Sequence, residues 1–178
     1  MYILQQLANY DQRIFLWCAN LCRSRNLPVY IRIISHSGDG YLQVLMPLLI
    51  IAIVGHEALP FLKLIVFSFV IERSLYWLLK NNLKRKRPEA ALPTFKAAIV
   101  ASDEFSFPSG HTSAAFLLAI LVSSYIPALS TVMFIWASSV SISRVILGVH
   151  FPADIIAGIC LGSSVAWLSI NFAGLPLH

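Results

Sequence analysis

Three cations and two histidines in this chain recur at spacings that phosphate chemistry can use. Lys80 and Arg87 are separated by six residues, with Pro88 following, and Arg144 comes much later, after Ser143. No carboxylate lies at matching spacing, so the expected partner is a polyanion. Guanidinium forks match pairs of phosphate oxygens, and a lysine adds a point charge. A second string, Phe107-Pro108-Ser109-Gly110-His111, runs directly into an apolar stretch. Ser109 is a natural N-cap, and Gly110 lets backbone approach a ligand closely. The first helical turn would add unpaired N–H groups at the positive end of the dipole, a ready anion site. Alone, that string is only a helix start. A third group is Arg144, five residues, His150, three residues, Asp154. Gly148 suits the end of one helix and Pro152 the first turn of the next. Asp154 can then accept a ring N–H from His150, fix its tautomer and leave the other nitrogen facing outward.

The elements that position these groups follow from composition. Of 178 residues, 58% are hydrophobic and only 12% charged, and mean hydropathy is +0.76. That is about half the charged share of a soluble domain. A soluble enzyme, a disordered chain and a disulfide scaffold are all poor readings, and an integral membrane protein remains. Cys18, Cys22 and Cys160 imply no disulfide framework and no zinc-type cluster. The net charge of +5 then points to anionic head groups or a phosphorylated substrate instead of nucleic acid.

Five apolar segments read as helices: Tyr41–Gly55, Ala58–Lys80, His111–Ile126, Ala128–Val149 and Phe151–Ala173. The first is shorter than the roughly 20 residues a span needs. The fold class is therefore all-α, a polytopic transmembrane bundle of five to six spans forming one membrane-embedded domain over 1–178. Residues 1–37 read as an amphipathic segment, interfacial or a degenerate first span, ahead of a bundle over 38–173. Its apolar residues, among them Tyr10, Ile14 and Trp17, recur at helical spacing, with polar residues such as Asp11 between them. Helices alternate direction across a bilayer. The end of the second segment, the start of the third, the end of the fourth and the start of the fifth must share one side. Lys80, Ser109, His111, Arg144, His150 and Asp154 all lie at those ends, so distant stretches converge on one interfacial pocket.

Two further groups have plainer readings. Lys84, Arg85 and Lys86 suit a head-group anchor, or alternatively a second phosphate. Glu72 and Arg73 lie within the second segment, where ionisable groups face the bundle interior. They suit support for Lys80, a polar lining for a lipid path, or an ion pair with another helix.

Taken together, Lys80–x6–Arg87–Pro88, Pro108-Ser109-Gly110-His111 and Ser143-Arg144–x5–His150–x3–Asp154 resemble the type 2 phosphatidic acid phosphatase superfamily, over roughly residues 35–172. The resemblance implies a helical bundle, usually of six spans, in which the first span here is degraded. It implies His150 as nucleophile through a phosphohistidine, Asp154 as its orienting partner and His111 as general acid. It implies Lys80, Arg87, Ser109, Gly110 and Arg144 as the phosphate cradle, with no metal and no cofactor. One histidine must be neutral and the other protonated, so a bell-shaped pH–rate profile is expected.

The implied activity is removal of the terminal phosphate from a membrane lipid, with undecaprenyl diphosphate the leading substrate by resemblance to small bacterial members. Phosphatidylglycerophosphate and phosphatidic acid are alternatives, as are a lipid phosphotransferase and a non-catalytic lipid-binding or transport protein. The expected partners are the lipid substrate and membrane lipids, with no nucleic acid; the sequence does not set the oligomeric state. The expected location is a bacterial inner membrane. Basic residues on the active side argue for a cytoplasmic site by the positive-inside rule, whereas the resemblance argues for an outward one, which is the reading taken.

Overall fold

The computed structural model of the chain describes residues 2–21, 29–101 and 103–173. Cys22, Arg23 and Arg25 fall outside them. Eight α-helices follow in order: α1 (Tyr2–Leu21), α2 (Val29–Ser37), α3 (Tyr41–Val54), α4 (Leu59–Leu83), the short α5 (Pro88–Ala91), α6 (Gly110–Tyr125), α7 (Ser130–Ile146) and α8 (Pro152–Ala173). Among the described residues there is no strand, only an isolated bridge between Lys86 and Phe105. The protein is an all-α transmembrane bundle.

Sequence punctuation sets the helix ends. Pro60 lies in the first turn of α4, Ser109 caps α6, Pro127 starts a 3-10 turn before α7, and Pro152 opens α8. Gly148 has φ +80°, a left-handed conformation that reverses the chain between α7 and α8 and brings His150 under the bundle.

Residues 41–83 form one nearly unbroken helical stretch of 43 residues. If it were straight it would be about 65 Å long. It is folded back at Gly55, where φ is +81° and a 3-10 turn runs from Gly55 to Ala58. The proof is that the first turn of α6 touches both ends: His111 bonds Asp39 just before α3, and Gly110 bonds Arg73 in the second half of α4. The passes are thus α3, α4, α6, α7 and α8. The stretches 41–83, 127–146 and 152–172 are each long and apolar enough to span.

The 16-residue α6 is apolar, and packing compensates for its shortness: Ala115, Leu117, Leu118, Leu121 and Val122 are fully buried at the centre of the bundle. It packs most closely on α8. A Cβ at Gly162 would sit 2.1 Å from the Ser113 carbonyl oxygen, so only glycine allows this approach. The outer faces are apolar too, with Ile53, Val66, Trp77, Ile135, Ile156 and Phe172 exposed. In a chain with so few charges, that belt is the lipid-facing surface.

α1 turns Tyr10, Ile14 and Trp17 outward and packs through Asp11 and Phe15. Phe15 meets Phe95 and Phe151 edge-on at 4.9 and 5.1 Å. The middle of α1 therefore lies at the start of α8, level with the helix ends. Its outward stripe is apolar and exposed. α2 packs along α7 and is fastened there by Arg144, which donates to the Ser35 hydroxyl at 2.6 Å.

Candidate active site

The helix ends enclose a cleft of about 1250 Å³. At its head stand Lys80, Arg87, Gly110, His111, Arg144 and His150. Its lower walls are apolar, formed by Val44, Pro47 and Leu48 on α3 and by Ile65, Val66 and Phe69 on α4. Ser109 and Asp154 are not in the lining; both are fully buried behind it. Ser109 is an N-cap as its residue type implies. Its hydroxyl accepts from the Thr112 N–H at 3.4 Å and the Thr112 hydroxyl at 3.0 Å, so it serves the helix and not the open space.

His150 is 2% exposed. Its Nδ1 lies 3.5 Å from an Asp154 carboxylate oxygen, and its Nε2 lies 3.4 Å from the Arg87 guanidinium. Burial pushes its pKa down to about 4, against the opposing pull of Asp154 and with help from Arg87. The ring is neutral at pH 7, with Nε2 on the cleft side. Asp154 is over-determined: it accepts the Phe151 N–H at 2.8 Å and the Arg85 guanidinium at 2.7 Å. Arg85 also bonds Asp11 on α1 at 2.5 Å and lies over the Phe151 ring. Asp11 in turn accepts the Ala153 N–H at 2.9 Å. One arginine therefore ties α1 to the carboxylate behind His150.

The cations are not free of carboxylates, which corrects the expectation from spacing. Asp103 bonds both Lys80 and Arg87 and accepts from the Tyr76 hydroxyl at 2.8 Å. Burial raises its pKa, but the bonds from Lys80 and Tyr76 and the charges of Lys80 and Arg87 outweigh that and hold it at about 2. Arg87 is also held by the Val149 carbonyl at 2.6 Å. Arg144 differs. It is 5% exposed, its one side-chain hydrogen bond goes to Ser35, and its Nε has no partner. Among the described residues no carboxylate pairs with it.

Gly110 lines the cleft, but its missing side chain also makes room for Tyr76. A Cβ there would come within 2.8 Å of that ring. Arg73 and Lys80 flank the same ring on its faces at 4.5 and 4.7 Å. Glu72 and Arg73 pair with each other at 2.5 Å instead of with a separate helix. Together they clasp α6, since Glu72 accepts from the Ser113 hydroxyl at 2.5 Å and Arg73 donates to the Gly110 carbonyl at 3.1 Å. Lys84 and Lys86 are exposed and lie outside the cleft lining. Arg85 is spent on Asp11 and Asp154, so this triplet offers no second phosphate seat.

Sequence reasoning missed Asp39, Asp103, Asp11 and Tyr76 as parts of the site, and gave Arg85 a head group or second phosphate where the structure gives it Asp154 and Asp11. Tyr76 carried one usable signal, lying one turn before Lys80 on the same helix face.

Comparison with known proteins bears on this arrangement. The family model described as the PAP2 superfamily matches residues 61–175. The chain is 30% identical over 135 residues to a decaprenylphosphoryl-5-phosphoribose phosphatase of Mycobacterium tuberculosis, covering 71% of each chain. It is 36% identical over 114 residues to an undecaprenyl-diphosphatase of Sulfolobus acidocaldarius, covering 60% of this chain and 52% of that one. The crystal structure of a transmembrane PAP2-type phosphatidylglycerolphosphate phosphatase from Bacillus subtilis superposes with a TM-score of 0.75 at 27% identity, covering 95% of this chain and 87% of that one.

Proposed function

Because the chain belongs to the PAP2 superfamily, we propose that it is a membrane hydrolase that removes the terminal phosphate of a lipid phosphate or diphosphate through a phosphohistidine intermediate. Arg144 carries the reading. A buried guanidinium with an unpartnered Nε and no carboxylate among the described residues is costly to fold, and an arriving phosphate satisfies it. Asp103 pairs with Lys80 and Arg87 only, so among the described residues the three cations of the cradle meet a single carboxylate.

The geometry supports the following steps. His150, neutral and held from behind by Asp154, attacks phosphorus through Nε2. The N–P bond forms as the bond to the lipid oxygen breaks, and His111 gives that oxygen its proton. Water then attacks phosphorus, the bond between phosphorus and His150 Nε2 breaks, and His111 takes up the water's proton, leaving inorganic phosphate and neutral His150. Lys80, Arg87, Arg144 and the first turn of α6 at Gly110 hold the phosphoryl oxygens, while Ser109 keeps that turn in place. These cations supply the charge neutralisation, and the reaction is read as metal-independent. The substrate's chain lies in the apolar lower cleft between α3 and α4.

The favoured substrate is an isoprenyl diphosphate such as undecaprenyl diphosphate. Relatives acting on isoprenyl carriers support this, and the Bacillus structure supports a glycerophospholipid as the second reading. The proposed setting is a bacterial inner membrane with an outward site, α1 at the surface and the bundle over 38–173 within. The test is phosphate release from a panel of lipid monophosphates and diphosphates by the purified protein in the presence of chelator. Release by the wild type and none by His150→Gln is expected. No release from any lipid, or dependence on an added metal, refutes the reading.

A further inference from the structure

His111 has a carboxylate partner that no motif supplies. The turn between α2 and α3 is closed by the Gly38 N–H bonding the Ser35 carbonyl at 3.1 Å and the Asp39 N–H bonding the His36 carbonyl at 3.0 Å. It lies flush against α7 and α6. A Cβ at Gly38 would sit 2.7 Å from Val140 Cγ1 and 3.4 Å from His111 Cδ2. Gln43 donates to the Gly38 carbonyl at 3.2 Å, and Arg144 pins Ser35 one residue from His36. This fastened turn presents Asp39 with one oxygen 2.6 Å from His111 Nε2 and the other 2.6 Å from His36 Nδ1. His36 is exposed to water, whereas His111 is mostly covered.

We propose that Asp39 is the positioning residue of His111, holding its Nε2–H and stabilising its protonated ring so that Nδ1 is the atom that donates to the departing oxygen. This rests on the lipid phosphatase reading above. The titratable groups lining the cleft around His111 are Arg32 and His36 on α2, Asp39 in the turn, Arg73, Tyr76 and Lys80 on α4, Arg87 and Asp103 on the connecting loop, Arg144 on α7 and the neutral His150 before α8. The charged ones are mostly cations, which expel a proton from an imidazolium. Asp103 is already spent on Lys80 and Arg87. Asp39 is the carboxylate in contact with the ring, and its bonds to the two histidines outweigh burial and hold its own pKa below the usual carboxylate value. It therefore stays ionised through the cycle. The Nδ1 proton leaves with the lipid oxygen and returns from the attacking water, so His111 ends as it began. The site thereby contains two carboxylate–histidine pairs with opposite tasks: Asp154 stands behind the ring that must be neutral, and Asp39 holds the ring that must be charged.

The test compares Asp39→Asn and Asp39→Glu with wild type in lipid nanodiscs, on one lipid monophosphate and one lipid diphosphate, across pH. An alkoxide leaving group needs a proton more than a phosphate does. Asp39→Asn is expected to lower kcat on the monophosphate about a hundredfold and on the diphosphate about tenfold or less, with KM little changed. The basic limb of kcat should move about one unit to lower pH, because an imidazolium without its carboxylate gives up its proton more readily. Asp39→Glu should recover most of the loss and return the limb. Equal losses on both lipids with an unmoved limb, accompanied by a fall in melting temperature, would show a structural role only and overturn the proposal. Full activity of Asp39→Asn overturns it as well. A wild type inactive on both lipids instead refutes the phosphatase reading on which it rests.

Discussion

Replacing Arg144 with methionine separates what the site costs from what it does. The arginine is 5% exposed, and among the described residues it has one side-chain hydrogen bond, to Ser35, with Nε unpartnered and no carboxylate paired with it. Replacing even a buried ion pair by apolar side chains of similar volume is often neutral or stabilising, by about 1–4 kcal/mol, and a guanidinium with no counter-ion has more to gain. The buried Ser35 hydroxyl loses a partner, which costs about 1 kcal/mol. The net effect lies between about 0 and 3 kcal/mol in favour of the variant. For a chain of this length that is a melting temperature unchanged or raised by about 0–10 °C. Activity should move the other way. Loss of a fixed donor to transition-state oxygens costs about 3–4 kcal/mol, or about 10²–10³ in kcat. The assay is phosphate release beside a fluorescence melting curve on the same preparation. A variant that melts well below wild type while keeping its rate would refute the claim that this guanidinium waits for an anion.

Other outcomes follow from the same geometry. With its pKa near 4, His150 stays neutral down to mildly acidic pH, so the acid limb of kcat/KM should fall near pH 4 and not near 6.5. The folded ring resists a proton that the unfolded ring accepts, so stability should drop as pH falls from about 6.5 to about 4; a melting temperature constant over that range would contradict the burial. Asp103→Asn should strengthen inhibition by vanadate about tenfold, because Lys80 and Arg87 lose a competing carboxylate, whereas unchanged or weaker inhibition would make Asp103 a mere brace. Gly162→Ala should destabilise the bundle by more than about 2 kcal/mol, since its Cβ would strike the Ser113 carbonyl; an unchanged melting temperature would mean α8 can move off α6.

Much of this architecture was legible in the sequence. Long apolar runs ended by Gly55, Pro127 and Gly148 leave few alternatives to helices that reverse at those points, and alternation across a bilayer brings Lys80, Arg144 and His150 to one side. The Ser109 cap is local chemistry and reads directly. The carboxylates do not. Asp39, Asp103 and Asp11 come from a turn, a loop and a surface helix, at no fixed spacing from the groups they bind. Asp39 reaches His111 across 72 residues and Arg85 reaches Asp154 across 69. Only packing decides such pairs, and no periodicity records them. The Glu72–Arg73 pair was hidden differently: adjacent helical residues do not normally face each other, and these two meet because both turn toward the first turn of α6.

Asp103 also changes how this cleft meets a ligand. Between turnovers its basic head never confronts bare solvent, since a tethered anion already sits on two of its three cations. On the proposed lipid phosphatase reading, a lipid arriving from the bilayer would have to displace that carboxylate, and its return would help phosphate to leave. Affinity here measures a contest between two anions, and the loop carrying residue 103 sets the terms for any ligand that enters.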